Sequence, residues 1–120
     1  MSIISQVLVT LSAALCLFIF YLETLATTSD RTSKVFSISK EVLEAKAMNV
    51  LMKNQGVYNG FIGLALLYAA FFSPNGREVA AVFLVNILVA AAYGGATSSP
   101  SILMKQGTLP FLALLSLLFF

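Results

Sequence analysis

No charged residue occurs in residues 79–104, where the chain reads VAAVFLVNILVAAAYGGATSSPSILM. A helix needs about 20 apolar residues to cross the hydrocarbon core of a membrane, and this stretch is long enough to supply them. Two further uncharged stretches, residues 1–22 and 54–76, meet the same requirement. The pattern therefore predicts several helices that cross a membrane.

A fourth uncharged stretch, residues 106–120, is too short to cross a membrane without help from the residues before it. We therefore start its helix at Pro100, with Ser99 as the N-cap and the proline in the first turn. Lys105 then lies near the membrane surface, where its long side chain can carry the ammonium group into water.

The composition agrees with a membrane protein. The chain is 59% hydrophobic and 10% charged, whereas soluble domains are roughly 25% charged. A soluble domain of this length exposes too much surface to hide that many apolar side chains. We predict an all-α fold, a transmembrane four-helix bundle formed by a single domain over residues 1–120. Its helices are predicted at residues 3–26, 56–72, 79–96 and 100–120.

The longest hydrophilic segment is the first loop, residues 27–53. Ser39 is placed to cap a helix over residues 40–53, in which apolar residues recur at helical spacing. This helix is either an extension of the second membrane helix outside the bilayer or a helix lying in the membrane interface.

Basic residues predict the orientation, because lysine and arginine accumulate in short cytoplasmic loops. The second loop contains Arg77, and the third contains Lys105. All other basic residues lie in the first loop; they are Arg31, Lys34, Lys40, Lys46 and Lys53. We predict that loops 1 and 3 are cytoplasmic and that both termini are outside.

Glu23 is the only carboxylate on a predicted membrane helix. A charge at the bilayer centre costs about 3 kcal/mol on insertion scales and less near a helix end. An acid in this position therefore has either a partner or a function. Lys53 is the predicted partner because it shares the side and depth of Glu23, and Arg31 is the second choice. The alternative is an interfacial carboxylate that lies in headgroup water.

Polar residues also cluster at the start of the second predicted membrane helix. Gln55 and Asn59 are four positions apart and share one helix face. They can bond neighbouring helices together or line a binding site, because lipid offers no partner. We expect them to converge with Gln106, which lies at the same depth. The candidate ligand-binding or polar-network residues are Glu23, Lys53, Asn54, Gln55, Tyr58, Asn59 and Gln106.

Lys53 and Lys105 lie near predicted helix starts, where a cation opposes the helix dipole unless an anion lies between them. An anionic ligand is one explanation of these lysines. The preference of basic residues for the cytoplasmic side is the other.

Small residues predict close contacts between helices. Gly56, Gly60 and Gly63 form a small-residue face on the second helix. On the third helix the small-residue pairs are Ala90-Gly94 and Ala91-Gly95. Such faces let helix backbones approach one another closely in membranes.

Several functions are excluded by what the sequence lacks. It contains no histidine and one cysteine, so it predicts neither a metal site nor a serine-histidine-aspartate triad. No nucleotide fingerprint is present, and no cofactor is predicted. The basic residues are too few and too close to the membrane for a nucleic-acid surface.

Several short motifs are distributed along the chain: Tyr21-Leu22-Glu23, Val35-Phe36, Asn54-Gln55-Gly56, Tyr58-Asn59, Tyr93-Gly94, Thr97 and Gln106-Gly107. In these residues the chain resembles a bacterial family of small four-helix membrane proteins catalogued as a domain of unknown function. The resemblance implies four membrane helices in a bacterial inner membrane, and it implies no particular reaction. Members typically carry Glu-His at the positions that are Leu15-Cys16 here, so any proton or metal chemistry of that pair is lost.

The chain is also similar, more distantly, to the membrane-associated eicosanoid and glutathione metabolism family. Those proteins are four-helix trimers with a polar first loop, an asparagine at the start of helix 2 and sites between subunits. This chain lacks the arginines that bind glutathione carboxylates. The similarity therefore implies the fold rather than the chemistry.

These observations favour a non-enzymatic module, an oligomeric bundle that binds membrane lipid or a small amphiphile, with an anionic amphiphile as the candidate ligand. One alternative is a membrane transferase or isomerase for a lipophilic substrate, with Tyr58 or Tyr93 as the acid. Another is an accessory subunit that stabilises a second membrane protein. A homo-oligomer is expected, because four thin helices bury little polar surface by themselves.

Overall fold

The computed structural model describes residues 1–98 and 100–120, and all regular structure in this part of the chain is helical. The all-α prediction is confirmed for these residues. Ser99, the predicted cap of the last helix, lies outside them. The helices are α1 (Ile3–Phe20), a π-helical turn (Tyr21–Leu25), α2 (Asp30–Phe36), α3 (Lys40–Glu44), α4 (Lys46–Phe71), α5 (Gly76–Thr97) and α6 (Pro100–Phe119).

Three helical segments among the described residues are long and apolar enough to cross a membrane: Ile3–Leu25, Gly76–Thr97 and Pro100–Phe119. Many of their apolar side chains face outward, and Val89 and Phe119 are 64% and 74% exposed. An apolar surface of this extent needs lipid or another protein as its environment. The chain thus has the helices and the surface expected of a membrane protein.

The helix α4 differs from these three. It begins at Lys46, well before the predicted start at residue 56, so it includes most of the helix expected in the first loop. It is longer than the other helices, but Lys53, Asn54, Gln55 and Asn59 make its first half polar. Because its first half is polar, α4 is less apolar than the three segments that could cross a membrane by their composition.

The helix predicted over residues 40–53 is interrupted. Ser39 caps α3 by accepting a hydrogen bond from the Val42 N–H at 3.3 Å. The chain then becomes extended at Ala45, with φ −62° and ψ 134°. Leu43 is fully buried, and the side-chain amide of Asn49 donates to its carbonyl oxygen at 3.4 Å. The helix therefore ends at Glu44, where the apolar spacing predicted that it would continue, and the next helix begins at Lys46.

The chain divides into two compact units, residues 16–62 and residues 1–15 with 63–120. In the second of these units α5 packs against α6, and the buried face of α5 carries Ala80, Leu84 and Ala91. A Cβ atom at Gly95 would lie 2.9 Å from the Leu103 Cβ. Glycine at this position therefore lets the two backbones approach closely.

The end of α4 is held by a residue of α1 in the same unit. Gln6 Nε2 donates a hydrogen bond of 2.8 Å to the carbonyl oxygen of Ala70. In a continuing helix this carbonyl would accept from residue 74, which is Pro74 and has no N–H. The Gln6 amide thus satisfies a helix-terminal carbonyl that the local backbone leaves without a partner.

Candidate functional site

The candidate site is built around Glu23, in the unit formed by residues 16–62. Its side chain is completely buried and lies in the π-helical turn. In this turn the N–H of Ala26 donates to the carbonyl of Tyr21, five residues earlier, at 2.9 Å. Such turns are rare, and they frequently occur at functional sites.

Buried threonines complete the backbone hydrogen bonds of this turn. Thr32 Oγ1 lies 2.7 Å from the carbonyl oxygen of Ala26 and 3.0 Å from that of Leu22. Thr27 Oγ1 donates to the carbonyl oxygen of Glu23 itself at 2.7 Å. These bonds supply partners that the end of a helix otherwise lacks, and they fix the position from which the Glu23 side chain extends.

The carboxylate accepts a hydrogen bond at each oxygen. Gln55 Nε2 donates to Glu23 Oε2 at 2.8 Å, and Asn59 Nδ2 donates to Oε1 at 2.7 Å. The two donors lie one turn apart on α4, as their four-residue spacing predicts. The structure thus brings Glu23, Gln55 and Asn59 together, and these three residues are called the Glu23 cluster below.

Gly56 and Gly60 allow the close approach that the Glu23 cluster requires. A Cβ atom at Gly56 would overlap Thr24 Oγ1 and lie 3.0 Å from the Glu23 Cβ. Thr24 Oγ1 itself donates to the carbonyl oxygen of Lys53 at 2.9 Å. One turn further along α4, a Cβ atom at Gly60 would lie 3.0 Å from the ring of Phe20. Gly56 therefore faces the π-helical turn and Gly60 faces the end of α1. A side chain at Gly56 would separate the carboxylate from its amides.

The other predicted packing residues lie in the unit formed by residues 1–15 and 63–120. Gly63 is buried, and a Cβ atom at Gly94 would lie 3.1 Å from Ile102 of α6. Ala90 is exposed and does not belong to the packed face of α5, whereas Ala91 is fully buried. Ala90 and Ala91 differ in exposure because neighbouring residues in a helix point in directions about 100° apart.

Lys53 does not pair with Glu23 as predicted. Its ammonium donates to Thr27 Oγ1 at 3.0 Å and lies 3.5 Å from the carbonyl oxygen of Thr24. Arg31, the second predicted partner, is exposed. Lys53 also lies in the interior of α4 rather than at its start. The expected opposition between this lysine and the helix dipole therefore does not apply, because that effect fades within the first turn.

The remaining predicted site residues lie outside the Glu23 cluster. Asn54 is exposed, and Tyr58 is 74% exposed. Tyr93, the other candidate acid, is 72% exposed on α5. Gln106 is half-buried on α6, in the other compact unit. Lys53 remains at the edge of the cluster through its bond to Thr27.

Thr27 and Thr32, which bond the backbone around Glu23, are not among the site residues predicted from the sequence. Thr27 follows Glu23 by four residues, which is the spacing at which a hydroxyl bonds the backbone of its own helix. The bond of Thr27 to the Glu23 carbonyl can therefore be predicted from the spacing of the two residues. Thr32 reaches carbonyls six and ten residues earlier, and no local pattern predicts such a contact.

The Glu23 cluster presents hydrogen-bond acceptors that are held in fixed positions. Both oxygens of the carboxylate are used by amide N–H groups, while no described residue donates to the side-chain oxygens of Gln55 or Asn59. Gln55 is exposed and Asn59 half-exposed, so these oxygens are available to an external donor. In the part of the chain that the structure describes, no group of three histidine, cysteine, aspartate or glutamate side chains could hold a metal ion.

Comparison with known proteins found a similar relative and a matching protein family. The chain is 46% identical over 119 residues to the "Uncharacterized protein YpaA" of Lactococcus lactis subsp. lactis (strain IL1403), which covers 99% of this chain and 100% of the relative. No solved structure matches the chain. The similarity to the eicosanoid and glutathione metabolism family stays a prediction. Because residues 10–118 match the family described as "Protein of unknown function (DUF1304)", the chain belongs to that family.

Proposed function

We propose that this DUF1304 protein is a multi-pass protein of the bacterial inner membrane that forms a homo-oligomer and binds a lipid or small amphiphile. The observation that carries the proposal is the fully buried Glu23 carboxylate, held by the side-chain amides of Gln55, which is exposed, and Asn59, which is half-exposed, both on α4. An acidic side chain buried in this way is costly unless it has a structural or binding role.

The membrane arrangement adds α4 to the three apolar segments as a fourth crossing, giving the transmembrane four-helix bundle in one domain. Its second half is uncharged from residue 54 onward, and Leu64 and Tyr68 are 61% and 51% exposed, as lipid-facing side chains would be. Basic residues concentrate in loop 1 and the first part of α4, and Lys105 lies near the start of α6. This distribution favours a cytoplasmic position for loops 1 and 3. Both termini are then outside.

The ligand chemistry follows from the atoms that the Glu23 cluster leaves exposed. The amide oxygens of Gln55 and Asn59 are acceptors, and such groups need a donor when lipid replaces water. A hydroxyl, amide or ammonium group of a ligand supplies one. Lys53, exposed at the edge of the cluster, adds a positive charge for an anionic head. An anionic amphiphile with a hydrogen-bond donor fits both features.

Exposed polar residues beside the cluster support the oligomer. Asn54 and Tyr58 share a face of α4 and are both exposed. Polar side chains on a membrane helix commonly form hydrogen bonds to a neighbouring helix, each worth about 0.6 to 2 kcal/mol. A second copy of the chain would supply that helix.

A binding role is favoured over catalysis by the geometry of the same residues. Amides occupy both oxygens of Glu23, so the carboxylate is placed to hold Gln55 and Asn59 rather than to transfer protons. The hydroxyl-bearing side chains of Tyr58 and Tyr93 are largely exposed, which does not enclose a lipophilic substrate within one chain.

The test is native mass spectrometry of protein purified gently from its own membranes. The wild type should appear as an oligomer that carries a bound amphiphile, and Gln55→Leu should lose that mass. Ser5→Ala is the matched control, because it breaks the 2.9 Å bond to Ser116 in the other unit without touching the cluster. It should retain the ligand. A wild-type oligomer without ligand, or equal retention by both variants, would leave the cluster as helix packing and overturn the binding proposal.

A further inference from the structure

A cavity of about 550 Å³ opens at the turn between α4 and α5, in the unit formed by residues 1–15 and 63–120. Polar side chains of the turn line it, among them Asn75, Arg77 and Glu78, together with Gln6 of α1. Arg77 is exposed, and no described residue forms an ion pair with it. This cavity is separate from the Glu23 cluster and plays no part in the function proposed above.

An apolar groove of about 290 Å³ adjoins this cavity. Val7, Leu11 and Phe71 line the groove. Gln6 and Phe71 line both the cavity and the groove, so the polar and the apolar space are neighbours. Val7 and Leu11 recur at helical spacing on α1, which gives the groove the direction of that helix.

The two spaces together match the parts of a glycerophospholipid. The guanidinium group of Arg77 presents planar donors that suit phosphate oxygens. Asn75 and Glu78 can accept hydrogen bonds from hydroxyl or ammonium groups of the head. The groove along α1 follows a helix apolar enough to cross a membrane, and an acyl chain runs in the same direction.

We propose that this cavity and groove bind one glycerophospholipid, with its phosphate at Arg77 and an acyl chain between Val7, Leu11 and Phe71. The inference rests on the proposed function for the membrane location of the chain, and it adds a lipid site with residues of its own. In the predicted orientation this turn is outside, so the lipid belongs to the outer leaflet.

The experiment measures binding of added lipids to delipidated protein in detergent by native mass spectrometry. Phosphatidylglycerol is the full probe, diacylglycerol lacks the phosphate, and glycerol 3-phosphate lacks the acyl chains. Phosphatidylglycerol should bind one per chain and much more tightly than either fragment. Arg77→Gln should weaken it about tenfold or more, as expected for a lost charge-assisted hydrogen bond. Leu11→Trp should also weaken binding, because the larger side chain fills the groove.

Arg31→Gln is the matched control, since Arg31 is an exposed arginine on α2 in the other unit. It should leave the affinity unchanged, and melting temperatures confirm that each variant is folded. Equal losses for Arg77→Gln and Arg31→Gln, or equally tight binding of diacylglycerol, would overturn the phosphate assignment. Equally tight binding of glycerol 3-phosphate would exclude a lipid site. The assay uses added lipid, so its outcome is independent of ligand retention at the Glu23 cluster.

Discussion

Asn59 Nδ2 donates a hydrogen bond of 2.7 Å to Glu23 Oε1, and this bond joins α4 to the π-helical turn that follows α1. Gln55 satisfies the other carboxylate oxygen at 2.8 Å. Neutral amides rather than a cation therefore stabilise a fully buried acid. Because each partner would be left unsatisfied without the others, we expect these residues to depend on one another energetically.

Asn59→Leu should lower the free energy of unfolding by about 1 to 3 kcal/mol, since it leaves one oxygen of a buried carboxylate without a donor. In a Glu23→Leu background the same substitution should cost about 1 kcal/mol less, because no carboxylate remains to be satisfied. Reversible unfolding in detergent mixtures measures both values. Asn86→Leu, an exposed asparagine on α5, should be additive with Glu23→Leu. If Asn59→Leu and Glu23→Leu were additive as well, the expected energetic coupling between these two residues would be contradicted.

Gly56→Ala should be more destabilising than Gly60→Ala. The new Cβ at Gly56 meets the hydroxyl and backbone nitrogen of Thr24, and overpacking of this kind costs about 1 to 3 kcal/mol. At Gly60 it meets the ring of Phe20, which can shift. The gain of about 0.5 to 1 kcal/mol from replacing glycine in a helix offsets part of that cost. Melting temperatures in detergent provide the comparison, and equal losses would argue against the close approach at Gly56.

The orientation can be tested by cysteine labelling in intact cells. In a Cys16→Ala background, Asn75→Cys should react with an impermeant maleimide from outside, because loop 2 is predicted to be external. Glu41→Cys, exposed on α3 in the first loop, should react only after the membrane is opened. The two sites report opposite sides of the membrane. The reverse labelling pattern would invert the proposed topology.

The ion pair in the first loop predicts a small dependence of stability on pH. Lys40 Nζ lies 3.0 Å from Asp30 Oδ1, and Lys40 holds the pKa of Asp30 below its ordinary value of 3.8. Since the folded-state pKa is the lower one, the pair stabilises the fold above the unfolded-state pKa. That contribution is lost as the pH falls through the folded-state pKa. Because both side chains are exposed, the effect is small and sensitive to salt.

Asp30→Asn should therefore melt slightly below the wild type at neutral pH and low salt, and the difference should vanish in acid. Melting curves at neutral and acidic pH, each at low and high salt, measure it. Glu41→Gln, a nearby exposed acid, is the control for a simple change in net charge. A difference that grows toward acid would show that the ion pair is not its source.

The apolar helices were predictable because their signal is local and strong. Residues 79–96 and 100–120 were predicted for the last two helices, and the structure has Gly76–Thr97 and Pro100–Phe119. Turn residues precede each of these two helices in the sequence. The residues of each helix satisfy their backbone hydrogen bonds within that helix. The break at Ala45 was not predictable in this way, because apolar residues continue at helical spacing on both sides of it.

The Glu23 cluster was partly predictable. The cost of a charge in a membrane identified Glu23, and a four-residue spacing identified Gln55 and Asn59 as one face. The pairing of Glu23 with Lys53 was wrong, because depth and side of the membrane do not determine how α4 is rotated. The observed rotation turns the amides toward Glu23 and leaves Lys53 beside Thr27.

The sequence by itself determined that this chain is helical and that some of its helices are apolar enough to cross a membrane, since long apolar runs without charge form helices that satisfy their own backbone hydrogen bonds. It also determined which residues were too polar to lie there without partners. The tertiary structure decided what those partners are. Hydrogen bonds near 3 Å between residues 32 and 36 positions apart depend on the approach of two helices at Gly56. That approach is a property of packed side chains, and no local pattern encodes it.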